Sequence, residues 1–258
     1  MSLIFSKIYQ PYINLKQGSS TWHAARKHHM GASEFASAVD SVGAYMSRRM
    51  LYKKKLGFVK ECSNIAMEYG KDHEPDAAEE FGRLFGRLDI LGMVLYDEDP
   101  FLACSPDGIW VDETDLGDSR LPNWDLDDRR WLVEFKCPFN GVHYSDIPPH
   151  HQVQILGQMA ICGIHKCLYC SWSPYPKSNL QVWAVQFDLK KWNEVKQRID
   201  EFVKEHLGVN REPVTKRGNK YSCELNRQKV INGIAQDSKI LHDDNWDPVD
   251  ADVGDWKN

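Results

Sequence analysis

Ser105-Pro106-Asp107-Gly108, a polar interruption, and then Val133-Glu134-Phe135-Lys136-Cys137-Pro138 form the stretch whose reading decides the fold. If the apolar runs that carry them pair as antiparallel strands, the carboxylate at the end of the first meets the Glu-x-Lys of the second. Glu134 and Lys136 are two apart, so on a strand both point to one face, while Val133, Phe135 and Cys137 point to the other. That places two carboxylates and one ammonium in a single cleft. Two carboxylates chelate a hard divalent ion such as Mg2+, and a neighbouring lysine orients or deprotonates a water for attack on phosphorus. A Glu-x-Lys alone is an ordinary surface pair contributing about 0–1 kcal/mol, so the reading rests on the Asp-Gly turn before it and the helices around it.

Upstream of this stretch, residues 66–85 carry Ala66, Tyr69, Ala77, Ala78, Phe81, Leu84 and Phe85 near helical spacing. Glu68, Glu74, Glu79 and Glu80 are all candidates to face the cleft, and periodicity does not choose among them. Pro75 removes a hydrogen bond and clashes with the carbonyl of Lys71, which predicts a kink or a fresh helix start near Glu74. Residues 88–96 and 100–111 read as strands, 112–130 as a solvent loop with seven acids and three bases, and 131–137 as the strand bearing Glu-x-Lys. Downstream, Pro148-Pro149 stops the chain before a helix, His150–Cys162, with Gln154 and Gln158 one turn apart. Glutamines on a buried helix face usually satisfy backbone or neighbouring polar groups. Strands at 166–172 and 180–187 and an amphipathic helix at 189–207 follow.

Nearer the N-terminus, Gly18-Ser19-Ser20-Thr21 caps a helix running to about His28 and carrying Arg26. Met30-Gly31-Ala32-Ser33 reads as a turn whose Ser33 caps the next helix, Glu34–Val39. A helix N-terminus beside an arginine is an anion site, although a plain cap and a solvated arginine fit the same residues. A third helix, Tyr45–Lys55, opens a basic run of Arg48, Arg49, Lys53, Lys54, Lys55 and Lys60, which is either a phosphate-binding patch or a wet face.

The chain of 258 residues, 42% apolar, supports one large α/β domain at 1–208, with an N-terminal helical part at about 18–60 and a polar, acidic, partly mobile extension at 209–258. Its net charge of −5 sits in that extension: residues 236–258 hold seven Asp and two Lys, leaving 30 acidic and 30 basic residues before them. A neutral body with a basic patch remains compatible with nucleic acid. Seven scattered cysteines fit reduced thiols rather than a disulfide framework, and no segment reads as a signal peptide or membrane span, so the cytoplasm or a host-cell interior is expected.

In order, the chain offers a helix with an acidic residue, a strand with Ser-Pro-Asp-Gly, a strand with Glu-x-Lys and a helix with Gln. This constellation resembles the restriction-endonuclease-like nuclease core, a central mixed β-sheet flanked by helices. More closely, the chain resembles the lambda exonuclease family, also described as the YqaJ-type viral recombinase family. The motifs are Trp22-His23 through Arg26, Gly31-Ala32-Ser33-Glu34, Gly70-Lys71-Asp72-His73-Glu74, Ala103-Cys104-Ser105-Pro106-Asp107-Gly108, Glu134-Phe135-Lys136-Cys137-Pro138-Phe139 and Gln152-Val153-Gln154. The resemblance implies that Asp107, Glu134 and the Phe135 carbonyl hold Mg2+, two ions in all and replaceable by Mn2+, with Glu74 reaching the second. It further implies that Lys136 positions the attacking water, that Gln154 holds the water or the scissile phosphate, and that Arg26, Ser33 and Ser105 grip a 5′-terminal phosphate. The implied activity is stepwise digestion of double-stranded DNA from 5′ ends, by a homotrimer, leaving single strand for an annealing protein. Two alternatives stay open. One is a structure-selective endonuclease or an iron–sulfur nuclease on the same core, with Cys162, Cys167 and Cys170 as cluster ligands. The other is an inactive DNA-binding accessory of recombination.

Overall fold

The computed structural model describes residues 11–59, 64–114, 118–124, 127–174, 179–214 and 219–232. The first ten residues, Lys60, part of the acidic loop and the acidic tail lie outside that description, as does any mobility expected of the tail. Among the described residues six α-helices surround two sheets: α1 Ser20–Arg26, α2 Ala32–Ala38, α3 Arg48–Lys55, α4 Ile65–Phe85, α5 Pro149–Cys162 and α6 Leu189–Phe202, the last continued by a π-helical turn, Val203–Leu207. The smaller sheet has the order β1 Met30–Gly31, β4 Asp99–Cys104, β3 Val94–Tyr96. The larger has the order β2 Leu88–Asp89, β5 Gly108–Val111, β6 Arg130–Lys136, β7 Lys166–Ser173, β8 Asn179–Gln186, β9 Arg227–Ile231. Its β6–β7 pair is parallel and its other pairs antiparallel, so the sheet is mixed, as expected.

Alternation along β6 and β7 builds two cores. Leu132, Cys167 and Tyr169 face α2, α5 and α6, while Trp131, Val133, Phe135, Leu168, Cys170 and Trp172 face α4. Cys167 and Cys170 therefore lie on opposite faces of one sheet and cannot share a cluster. The six described cysteines are all free and buried.

Several boundaries differ from the sequence reading. The runs 88–96 and 100–111 each break and divide between the two sheets. In the first, the backbone at Gly92 presses on residues 12–15, where an added Cβ would lie 2.5 Å from the carbonyl oxygens of Tyr12 and Leu15. In the second, Pro106 has no N–H to give a ladder. The Gln17 side chain clasps both breaks, donating to the carbonyls of Leu91 at 2.9 Å and Pro106 at 2.8 Å. Helix α4 runs through Pro75 without a fresh start, its buried Ala77, Phe81 and Phe85 holding it to the sheet. Tyr45 stands outside α3, which begins after the Ser47 cap. The segment after residue 208 is not wholly an appendage, because β9 extends the main sheet and Cys223 and Leu225 are in the core.

Two contacts fix the helical layer. Gly157 on α5 lets α2 approach, since a Cβ there would lie 2.6 Å from two ring carbons of the fully buried Phe35. Glu34, 5% exposed, accepts from the Gly31 N–H at 3.0 Å and pairs with Lys54 at 3.1 Å and Lys55 at 2.5 Å, tying α2 to α3. Burial works to raise the Glu34 carboxyl, but the two ammonium groups outweigh it and hold it below its ordinary value.

Gly157→Ala should destabilise the fold: overpacking costs about 2 kcal/mol, more than the roughly 1 kcal/mol gained by replacing a helical glycine. A lower urea midpoint is the expected readout. Glu34→Gln leaves the enclosed Lys55 ammonium, 9% exposed, without its counter-charge and should cost about 3 kcal/mol near neutral pH. Because the folded pKa of Glu34 is depressed, its contribution is present above the unfolded value of about 4.3 and is lost as pH falls through the folded value. The stability gap between wild type and Glu34→Gln should therefore narrow below about pH 4, measured by urea unfolding across pH.

Candidate active site

The antiparallel register of β5 and β6, Gly108 opposite Val133, brings Asp107 to Glu134 and Phe135 across the end of the pair. Asp107 Oδ2 accepts from the Phe135 N–H at 2.6 Å. The Phe135 side chain points away into the core around α4, edge-on to Phe81, so only its main chain belongs to the cleft. Glu134 and Lys136 share the α5 face, as the two-residue spacing requires, with Lys136 Nζ 2.5 Å from Glu134 Oε1. Glu134 is only 3% exposed, and α5 satisfies it: Gln154 donates to Oε1 and Gln158 donates to Oε2 at 2.7 Å. Glu74 reaches the same cleft from α4 at its open rim, near enough that its charge acts on Asp107.

Crowding shows in the electrostatics. Burial, together with the charges of Glu134 and Glu74, pushes the Asp107 carboxyl well above the usual carboxylate range, and Lys136 and the Phe135 N–H offset this only in part. Desolvation and Glu134 likewise raise Glu74 against the opposing pull of Lys136 and Lys71. Cys137 is pushed up to about 12 by burial and by Glu74 and Asp107. Burial opposes the charge of Lys136, yet Glu134 and Asp107 overcome it and hold the proton on more firmly than on an ordinary lysine.

Among the described residues no three His, Cys, Asp or Glu side chains are grouped so as to hold a metal ion, and Glu134 is bonded instead to Lys136, Gln154 and Gln158. The donor chemistry fits a hard dication nonetheless. Asp107, Glu134, Glu74 and the Phe135 carbonyl are all oxygen donors, and the mutual repulsion of the three carboxylates is what a bound cation relieves.

A second cluster stands beside the first. Arg26 Nη2 donates to Ser33 Oγ at 3.2 Å, and its guanidinium lies 4.5 Å over the Trp22 ring. Trp22 Nε1 in turn donates to Ser105 Oγ at 3.0 Å. The three residues expected to grip a phosphate thus converge through Trp22, whose role the sequence pattern does not indicate. Gly31 caps α2, not Ser33, which sits inside the first turn and turns its hydroxyl to Arg26. Gln158 is also a neighbour the sequence reading left out of the site; its spacing of four from Gln154 put both on one helix face and was the available signal.

The fold is shared with the alkaline exonuclease LHK-Exo from Laribacter hongkongensis, at TM-score 0.57 and 21% identity, covering 74% of this chain and 94% of that one. LHK-Exo in complex with dAMP gives the same TM-score of 0.57, with 22% identity and the same coverage. No curated protein matches the chain in sequence. The sequence pattern of the YqaJ-like viral recombinase domain matches residues 21–165, more than half of the 258. With both clusters inside or at the edge of that match, the chain belongs to the YqaJ-like viral recombinase family, a family of nucleases.

Proposed function

We propose that the protein is a Mg2+-dependent exonuclease that digests double-stranded DNA from its 5′ ends, with Mn2+ able to substitute, and leaves single strand for an annealing protein. The observation that carries this reading is the connection between β4 and β5. Ser105, in the Arg26–Ser33 cluster, and Asp107, in the carboxylate cluster, are two residues apart on it. An end held by the first cluster is presented to the second at a short, fixed spacing.

Asp107, Glu134 and the Phe135 carbonyl would hold one ion, and Glu74 would reach a second. Such ions supply charge that stabilises the attacking and leaving oxygens of an in-line displacement. Lys136 keeps its proton, which suits it to orient the attacking water and to neutralise developing charge. Gln154 stands on Glu134 Oε1, where its amide can also meet the water or the scissile phosphate. Arg26 offers a forked, charge-assisted contact to a terminal phosphate, which carries more negative charge than an internal diester, and the Ser33 and Ser105 hydroxyls add neutral donors. Each cut then exposes a new phosphorylated end, and recognition of phosphate rather than base edges makes the enzyme indifferent to sequence.

Asp107→Asn should abolish cleavage of labelled duplex DNA while leaving the thermal midpoint equal or higher, because it removes repulsion from a crowded site. Glu134→Gln should abolish cleavage as well, and Lys136→Ala should slow turnover by about 100-fold or more. Full activity in EDTA would overturn the metal assignment. Arg26→Ala should lose about 10-fold of any preference for 5′-phosphorylated over 5′-hydroxyl ends, the worth of one charge-assisted hydrogen bond. Wild-type protein that degrades both kinds of end equally, or starts from 3′ ends, would refute the phosphate pocket without touching the metal assignment.

A further inference from the structure

The loop joining α2 to α3 carries an exposed aromatic residue, Tyr45. Tyr45 keeps 64% of its surface exposed, yet its hydroxyl is plugged into the fold, 2.5 Å from Nε2 of His151, a residue 1% exposed at the head of α5. His151 Nδ1 lies 2.8 Å from the hydroxyl of Tyr169, which is fully buried on β7 and directly opposite Glu134 in the β6–β7 register. Burial and the charge of Lys136 hold His151 well below the ordinary imidazole range, so it stays neutral, one ring nitrogen donating and the other accepting. Rings follow the same line into the core: Tyr45 meets His150 edge-on at 4.8 Å, His151 lies 5.7 Å from Tyr169, and Tyr169 meets Trp183 at 5.6 Å.

The loop is shaped to this pair of histidines. Gly43 adopts φ +73, and a Cβ there would lie 2.7 Å from His150 Nδ1. That nitrogen is buried without a hydrogen-bond partner among the described residues, so the polar tether between loop and α5 is the Tyr45 hydroxyl. An exposed aromatic ring ordinarily swings, and ordering it on binding costs about 0.5–1.5 kcal/mol. This ring is pinned at its far end before any ligand arrives.

The ring borders the candidate active site through α5. His151 is three residues before Gln154 on α5, on the same helix face, and Gln154 donates to Glu134. The charges of Lys136 and Glu134 both act on the Tyr45 hydroxyl. We propose that Tyr45 is a stacking platform for the base of the terminal nucleotide at the cleaved end of DNA, fixed in place by the His151–Tyr169 chain. Every base has a π face, so such a contact adds affinity without base readout. The inference rests on the nuclease reading and adds to it a contact to the base.

The test measures equilibrium binding in EDTA, where no cleavage is expected, to 5′-phosphorylated duplexes whose terminal nucleotide is normal or abasic. Wild type should lose about 10-fold in affinity on the abasic end, and Tyr45→Leu should bind the normal end about 10-fold more weakly and no longer distinguish the two. Tyr45→Phe, which keeps the ring and frees it, should fall between them. His151→Leu should match Tyr45→Phe, and the double variant should be no weaker than either, since both remove one tether. With Mg2+ added, Tyr45→Leu should raise KM more than it lowers kcat. A Tyr45→Leu protein that binds like wild type, or that keeps the full abasic penalty, overturns the proposal. Normal binding with no cleavage in Mg2+ or Mn2+ overturns the nuclease reading alone, and wild type that binds no duplex overturns both.

Discussion

A carboxylate enclosed in the face of a β-sheet costs several kcal/mol unless its oxygens find partners, and Glu134 meets that demand with three side chains drawn from two elements. Lys136 comes from the same strand, two residues on, and Gln154 and Gln158 come from successive turns of α5. The docking of α5 on the sheet is thus specified at its centre by polar contacts as well as by Val153, Leu156 and Met159 around them. Breaking one contact exposes the rest to the same penalty, because a buried polar network half satisfied is worse than none. The same α5 face continues to His151, so a demand set by one glutamate extends to the rim where Tyr45 stands.

The second constraint is topological. The chain passes from the small sheet to the large one at Ser105–Asp107, and each end of that passage is fastened to a different body. Ser105 is bonded to Trp22 of α1, and Asp107 to the backbone of β6. Gln17 braces this passage against the neighbouring one at Leu91 by donating to carbonyls on both. A strand continuing straight from 100 to 111, as the apolar pattern suggests, could not have done this. The break at Pro106 frees a carboxylate to turn across the end of β6 while leaving the serine before it on the other side.

Much of this was legible in the sequence because it depended on local periods. The two-residue spacing put Glu134 and Lys136 on one face, and a spacing of four put Gln154 and Gln158 on one face of α5; the antiparallel partner of β6, however, is not the run that ends at Asp107 but β5, which begins after it. What escaped depended on contacts between distant segments. Gly92 gives no local sign that residues 12–15 will press on it, and Pro75 looked disruptive because the packing of Ala77, Phe81 and Phe85 cannot be weighed from sequence. Ser33 lost its capping role to Gly31 through Glu34, whose carboxylate was claimed by Gly31, Lys54 and Lys55 at once. Trp22 and Tyr45 had no periodic signal at all, since their roles come from single hydroxyl and indole contacts across long sequence separations.

The basic run on α3 illustrates how placement changes what charge can do. Lys54 and Lys55 are committed to the buried Glu34, so they brace α2 and contribute little to a long-range field. Arg48 lies over the Phe202 ring and so serves packing. Arg49 and Lys53 meet Glu212 at the surface, where such pairs are worth about 0–1 kcal/mol and yield readily to a stronger anion. A body whose acidic and basic residues balance, with half its apparent patch consumed internally, has little nonspecific attraction for a polyanion. On the proposed reading, affinity for DNA comes from a few placed groups: the arginine held over Trp22, the hydroxyls beside it, the Tyr45 ring and a dication held by the crowded carboxylates. Contacts of that kind act at an end or at a single phosphate rather than along a duplex, which is the electrostatic reason the proposed site would suit attack on termini.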